Sequence, residues 1–401
     1  MMKLKNMIYN VLCLAIGATM TTGCIEEYEA DIAQEDANIL VVEGTIYANQ
    51  ENTFRLSWSD PLTGNYEPQW AMNASVSVRG TDGSVYEANG QTGYGLGYYT
   101  CQLGQLNPNV EYYLHIEVND DIYESEPQKP LATEKIADIR ATQETEESDL
   151  EVLVTPAEPF DNSKTNYYSW TCDITWEVHP QYVTFLYYDT DLKKAQVKGG
   201  QFPERGWRDK RSLEVMIGSS ASYDGQRIER MKLYKISRAS EMMYYKYSGL
   251  VHQRAISKAE YEYELARRQA SEEMGGLFTP QPSALPTNIR CLTSKKHVIG
   301  YIGCSLNTSA YRFFLLPKDY SIYRPVEKDN RIWIENPSET DCMKMVERGL
   351  YLCEWDDTTM TPAGQILLKT AWAFRYQLDV RLSGAYVEKP DYWDSEENIS
   401  Y

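Results

Sequence analysis

Four histidines, His115, His179, His252 and His297, are the first residues to test for chemistry, because imidazole titrates near neutrality and ligates transition metals. Their spacing supports neither role: no H-E-x-x-H occurs and no two lie three to five residues apart. His115 sits in "EYYLHIEV" on the strand face opposite Leu114 and Ile116, which predicts a solvated surface histidine. There is no G-x-S-x-G elbow and no P-loop, and Gly93, Gly95 and Gly97 fall between strands with no helix start behind them. Asp189 with Asp191, and Asp356 with Asp357, lack the glycine and distal glutamate of an EF-hand. With 58 acidic residues, no glycosidase pair can be picked out without geometry. The expectation is a protein that binds and does not catalyse, without metal or cofactor.

A different chemistry is written at Cys24. Lys3 and Lys5 precede an apolar run from Met7 to Met20, and small residues follow up to Gly23. The run is too short to span a bilayer and reads as a secretory signal over residues 1–23. Gly23-Cys24 resembles the bacterial lipobox, in which the cysteine is acylated and becomes the first mature residue; Thr21 stands where leucine is usual. Two acyl chains give stable anchoring where one does not, so Cys24 is expected to hold the protein on a membrane. The acids Glu26, Glu27 and Glu29 behind it resemble the export signal that sends lipoproteins of Bacteroidota to the outer face of the outer membrane. A solvated tether over residues 24–37 is the plainer account of the same acids.

Composition narrows the rest. A chain of 401 residues with 42% hydrophobic and 24% charged residues is globular and long enough for two domains. Thirty-two tyrosines against eight phenylalanines suit half-buried sheet faces and wet surfaces. The formal charge of −19 argues against nucleic acid, whose binding needs lysine and arginine on phosphates. Beyond Cys13 and Cys24, the six cysteines Cys101, Cys172, Cys291, Cys304, Cys342 and Cys353 would enter an oxidising compartment. Local spacing favours disulfides Cys291–Cys304 and Cys342–Cys353, while Cys101 and Cys172 either pair across domains or stay buried thiols. No C-x-x-C occurs.

These residues must be positioned by strands. Between residues 38 and 130, short alternating runs such as "TFRLSWS" and "ASVSVRGTDGSVYEA" recur at sandwich spacing, with a hairpin signal at Asp82-Gly83. The fold class expected is mainly β: an N-terminal immunoglobulin-like β-sandwich followed by a larger β-rich domain, residues 131–401, with one or two helices. One helix is predicted near 257–274, opened by a Ser257/Glu260 capping box, with Ala259, Tyr263, Ala266 and Ala270 on one face and Gly275-Gly276 at its end. In "QILLKTAWAFRYQLDVRL" a second helix through Tyr376 is preferred over a strand. Two aromatic clusters stand out, Tyr182, Phe185, Tyr187 and Tyr188, and Tyr244, Tyr245 and Tyr247. They could stack on sugar rings or meet a partner, or simply pack against their own sheet.

The order "ILVVEGTI", "VSVRGTDGSVYE", "GLGYYT", "EYYLHIEV", "YYSWTCDITWEV", "YKYSGLVHQRAISKAEYEYE", "GGLFTPQPSALPTNI", "VIGYIGCS" and finally "KPDYW" resembles the Bacteroidota lipoproteins grouped as domain of unknown function 4249. The resemblance runs from Cys24 to Trp393. It implies an outer-membrane lipoprotein facing the cell exterior, usually encoded beside a TonB-dependent transporter and without established enzymatic activity. By analogy it would capture ligand for such a transporter or close its barrel, as an accessory partner; a stand-alone glycan- or peptide-binding surface protein is the alternative.

Overall fold

A computed structural model describes residues 39–59, 69–90, 96–211, 215–272, 285–360, 362, 364–395 and 397–401. Cys24, Glu26, Glu27 and Glu29, like Gly93, Gly95, Gly275 and Gly276, lie outside the described residues. The first unit begins with β1 (Leu40–Glu43), β2 (Thr45–Tyr47), β3 (Glu51–Trp58), β4 (Gln69–Trp70), β5 (Ser75–Gly80), β6 (Val85–Gly90), β7 (Tyr98–Gln102), β8 (Tyr112–Val118) and β9 (Asp121–Ser125). Strand alternation sends Phe54, Leu56, Val76, Val78, Leu114 and Ile116 into one core. The Asp82-Gly83 turn forms as expected: the Asp82 carboxylate accepts from the Ser84 N–H at 3.0 Å and Gly83 takes a φ of 89°. β6 pairs first with β5 and then, through Asn89 and Gly90, with β7, so one continuous sheet passes from one layer to the other.

The second unit opens with β10 (Ile136–Gln143), β11 (Leu150–Pro156) and β12 (Tyr167–Val178). It continues through the β13 (Leu186–Asp189) and β14 (Lys194–Val197) hairpin to β15 (Gly206–Arg211), β16 (Met216–Ser219), β17 (Met231–Ile236) and β18 (Tyr247–Ile256). The small sheet β10-β11-β17 packs against a sheet centred on β12 and β18, with Val152, Trp170, Cys172, Val251 and Phe313 buried between them.

After helix α1 (Lys258–Glu272) the chain goes back to the first unit. β19 (Ile289–Cys291) pairs with β9, β20 (Val298–Gly300) runs parallel to β1, and β21 (Gly303–Ser305) runs parallel to β2. The ten-stranded sheet therefore starts at β19 and ends at β20, two strands adjacent in sequence, and nearly closes around its core. A division of the chain at residue 130 thus separates strands that share one sheet. Parallel pairing needs a long crossover, and here most of the second unit is that crossover.

β22 (Ser309–Leu315) rejoins the second sheet beside β18. Then β23 (Ile332–Glu335), α2 (Glu339–Glu347), β24 (Leu350–Asp356) and β25 (Lys369–Phe374) build a third, three-stranded sheet around Tyr188, Cys342, Leu352 and Trp372. The one-turn helix α3 (Arg375–Leu378) follows, and β26 (Ile399–Ser400) edges the second sheet. The helix expected through Tyr376 is therefore β25 plus a single turn. Thr370, Ala371, Trp372 and Ala373 are all buried, and a run buried on both faces carries no alternation by which strand and helix can be told apart.

All six described cysteines are free thiols, so neither expected disulfide forms. Cys304 lies in the first core, whereas Cys291 is only partly buried. Cys342 points into the third core, while Cys353 is the extra residue of a β-bulge between Leu352 and Glu354. Burial pushes the thiol of Cys101 up to about 11 and those of Cys172 and Cys304 up to about 12. Burial alone would also raise Cys291, but hydrogen bonds from Ser294 and Thr293 outweigh it and the net direction is down. Since the thiolate is the nucleophile, iodoacetamide at pH 8 is expected to modify Cys291 before any other cysteine of the native chain. Peptide mass mapping reads this, and earlier labelling of Cys172 or Cys304 would contradict it.

Candidate ligand cleft

β12 sorts its residues by face: Trp170 and Cys172 enter the second core, and Ser169, Thr171, Asp173 and Thr175 take the outer face. On β18, Val251 and Gln253 point inward and His252 and Arg254 outward; the register sets Thr171 opposite His252 and Ser169 opposite Arg254.

Two structures cover this outer face. At one end stands the closing "KPDYW" segment: the Tyr392 hydroxyl lies 2.9 Å from Thr175 Oγ1, and the Arg312 guanidinium lies 3.5 Å from the centre of the Tyr392 ring. Trp393 is buried, donates from Nε1 to Glu177 at 2.9 Å, and meets Trp207 edge-on at 6.1 Å. At the other end, β2, β3 and α1 close over Ser169, Thr171, His252 and Arg254, leaving a cavity of about 590 Å³.

The cleft is held together by one buried ion pair. Both Nη atoms of Arg254 donate to the two carboxylate oxygens of Glu260, the Nη1 bond at 3.1 Å. Glu260 is only 5% exposed. Gly303 makes room for it, since a Cβ there would lie 2.4 Å from the carboxylate. The Tyr47 ring faces the guanidinium at 5.8 Å. Second sheet, helix and first unit thus meet at a single contact. Burial alone would lower the Arg254 pKa, but the Glu260 charge outweighs it and the net direction is up.

The other basic side chains of the cleft also face carboxylates. His252 Nε2 lies 3.1 Å from Asp173 Oδ2, Arg211 Nε lies 3.5 Å from Asp173 Oδ1, and Arg267 donates to Glu264 at 2.7 Å. Only half of the expected capping box opens α1. Ser257 Oγ accepts the Glu260 N–H at 3.1 Å, but the Glu260 side chain turns to Arg254 instead of back to the cap. Of the expected helix face, Tyr263 is buried, Ala266 and Ala270 are half-buried and Ala259 is exposed, because Glu260 belongs to the inward stripe.

The aromatic residues singled out by sequence divide among separate places. Tyr188 and Tyr247 are core residues. The Tyr182 hydroxyl bonds Asn330 at 2.8 Å and its ring lies 4.9 Å from Arg331; Tyr187 carries Lys198 at 5.9 Å, and Phe185 is 47% exposed. Tyr244 and Tyr245 line a second pocket of about 350 Å³, where Tyr245 stacks on His179 at 3.6 Å and Arg324 sits over both tyrosines. His115 occupies the outer strand face as expected but is buried. Glu124 on the next strand and Glu117 two residues on bond its two nitrogens at 2.8 and 2.9 Å and cover the ring. Asp189 and Asp356 accept from backbone N–H groups of their own turns. Among the described residues no three His, Cys, Asp or Glu side chains converge as metal ligands.

Sequence reasoning missed the cleft because its walls come from separate stretches of chain, β2–β3, β12 and β18–α1, that meet only in the fold. One signal was present: "SWTCDITW" places a polar residue at every second position of a strand whose other residues are Trp, Cys, Ile and Trp.

Fold and site together define a mainly β protein of two interlocked sheet units and a small third sheet, with a charge-paired polar cleft between the first two. The family model for the domain of unknown function DUF4249 matches residues 25–310, and the chain belongs to that family. No curated protein matches the chain. Among solved structures, a chain of a cytokine receptor complex aligns at 9% identity over 53% of this chain and 90% of its own, with a TM-score of 0.20. A DUF4785 family protein from Legionella pneumophila aligns at 12% identity over 53% of this chain and 52% of its own, with a TM-score of 0.17. A Salmonella alpha-2-macroglobulin variant aligns at 8% over 91% of this chain and 22% of its own, with a TM-score of 0.19. Likeness at this level carries no functional argument.

Proposed function

We propose that the protein is a surface-exposed outer-membrane lipoprotein, anchored through Cys24, that captures ligand as an accessory of a TonB-dependent transporter. The observation that carries the capture role is the cleft at the junction of the two units, whose histidine and arginines are all engaged with carboxylates and so serve recognition better than proton transfer. The anchor is supported by the lipobox-like Gly23-Cys24 and by a family match that starts at residue 25, directly behind that cysteine. A stand-alone glycan or peptide binder is the second reading, favoured by the half-exposed Tyr244 and Tyr245 in the smaller pocket.

Acylation makes a simple prediction. Cys24→Ala removes the only attachment point the reading provides, so the protein should move from the membrane pellet to the soluble fraction, and mass spectrometry of the wild-type N-terminal peptide should find lipid on Cys24. Membrane retention of the variant would overturn the anchor.

A further inference from the structure

We infer that the cleft between β3, β12, β18 and α1 takes an uncharged, polyhydroxylated ligand, an oligosaccharide; this rests on the ligand-capture reading and names its substrate class. Charge is the first reason. Arg254 and Arg267 each face a carboxylate of their own, and Arg211 and His252 share Asp173, so a phosphate or carboxylate ligand meets no basic side chain without an acidic partner already beside it. The same pairs occupy Glu260, Glu264 and Asp173, and Glu43 is held by Arg55 at 3.3 Å, so among the described lining carboxylates only the exposed Glu51, at the start of β3, stands outside an ion pair for a cationic ligand to meet.

Surface chemistry is the second. Small-molecule pockets are usually lined by apolar side chains, but here, among the described residues, the only aliphatic ones at the wall are Val42 and Val215, and Val42 is 1% exposed. Beside the charged pairs, hydroxyl and amide groups make up much of the lining, including Thr45, Thr53, Thr171, Thr308 and Gln50. A hydroxyl both donates and accepts, as each sugar hydroxyl does. Asp173, an acceptor flanked by the donors Arg211 and His252, presents the alternation that two adjacent hydroxyls can join.

Geometry is the third. The floor is a sheet face whose backbone groups are spent in the β12–β18 ladder, so an extended peptide finds no free strand edge here. Tyr47 and Tyr263 add rings with an apolar body and a polar tip. The volume of about 590 Å³ lies within the usual range for ligand sites, about 300–1,000 Å³.

The test is isothermal titration of the full chain in detergent. The probes are neutral hexasaccharides (maltohexaose, cellohexaose, mannohexaose, xylohexaose), the anionic oligogalacturonate, and the cationic chitosan hexamer. At least one neutral probe should bind and neither charged probe should. Thr171→Trp, which fills the floor, and His252→Ala, which removes a donor without adding bulk, should each weaken that binding at least about tenfold. Binding of a charged probe in preference, binding unchanged in both variants, or no binding of any neutral probe would each overturn the inference. The two readings fail separately: membrane anchoring and transporter co-purification should be intact in Thr171→Trp, and a neutral ligand can bind whether or not a transporter is found.

Discussion

Glu260→Ala is expected to lower the free energy of unfolding by about 3–5 kcal/mol, the cost of leaving one partner of a buried ion pair without the other. Arg254 and Glu260 side chains are 12% and 7% exposed, so water cannot replace the lost carboxylate without opening the junction. Because Arg254 belongs to the second sheet, Glu260 to α1 and Gly303 to the first unit, the damage should reach beyond local stability. The two units should separate more easily, and limited proteolysis should accelerate. Gly303→Ala should reproduce the effect from the opposite side by driving a Cβ into the carboxylate. Urea unfolding followed by tryptophan fluorescence reads both variants, and a loss below about 1 kcal/mol, the range of an exposed ion pair, would show that the pair does not hold the junction.

Trp393→Ala should cost a comparable about 3–5 kcal/mol, as for other buried tryptophans. Its ring fills the space beside Trp207, its Nε1 bonds Glu177, and its backbone carbonyl accepts from Lys246. Neighbouring Tyr392 holds Arg312 against the outer sheet face. Losing this clasp should also free the Tyr392 end of that face. Trp393→Phe, which keeps the ring and loses only the hydrogen bond, should recover most of the stability in thermal unfolding. Equal losses in both variants would mean that packing is not the main contribution.

The closing motif thus serves structure, which neither its residue types nor its place near the end of the chain could reveal. Local rules were readable where one segment decides its own conformation: the Asp82-Gly83 turn, the alternation of β5 and β8, and Ser257 at the start of α1 all follow from neighbours within four residues. What escaped depends on distant segments. β20 and β21 fall within the stretch expected to form the second domain, yet their parallel partners β1 and β2 lie some two hundred and fifty residues upstream. The stretch 370–373 is buried on both faces and carries no period. Cysteine spacing suggested hairpin-sized bridges, but helix α2 and the bulge at Cys353 intervene. Glu260 looked like a capping residue because its partner Arg254 is recognised only once the strand before the helix is placed. The cleft residues Asp173 and His252 are seventy-nine positions apart and meet only through the β12–β18 register.

The central claim is the proposal that the protein is a lipoprotein working beside a transporter. It is tested most directly by extracting outer membranes that carry a tagged copy of the full chain with mild detergent, and identifying what co-purifies. A TonB-dependent β-barrel recovered in stoichiometric amount is the expected result. Recovery of the protein alone, repeated after gentle cross-linking, would contradict it and leave a free-standing surface binder in its place.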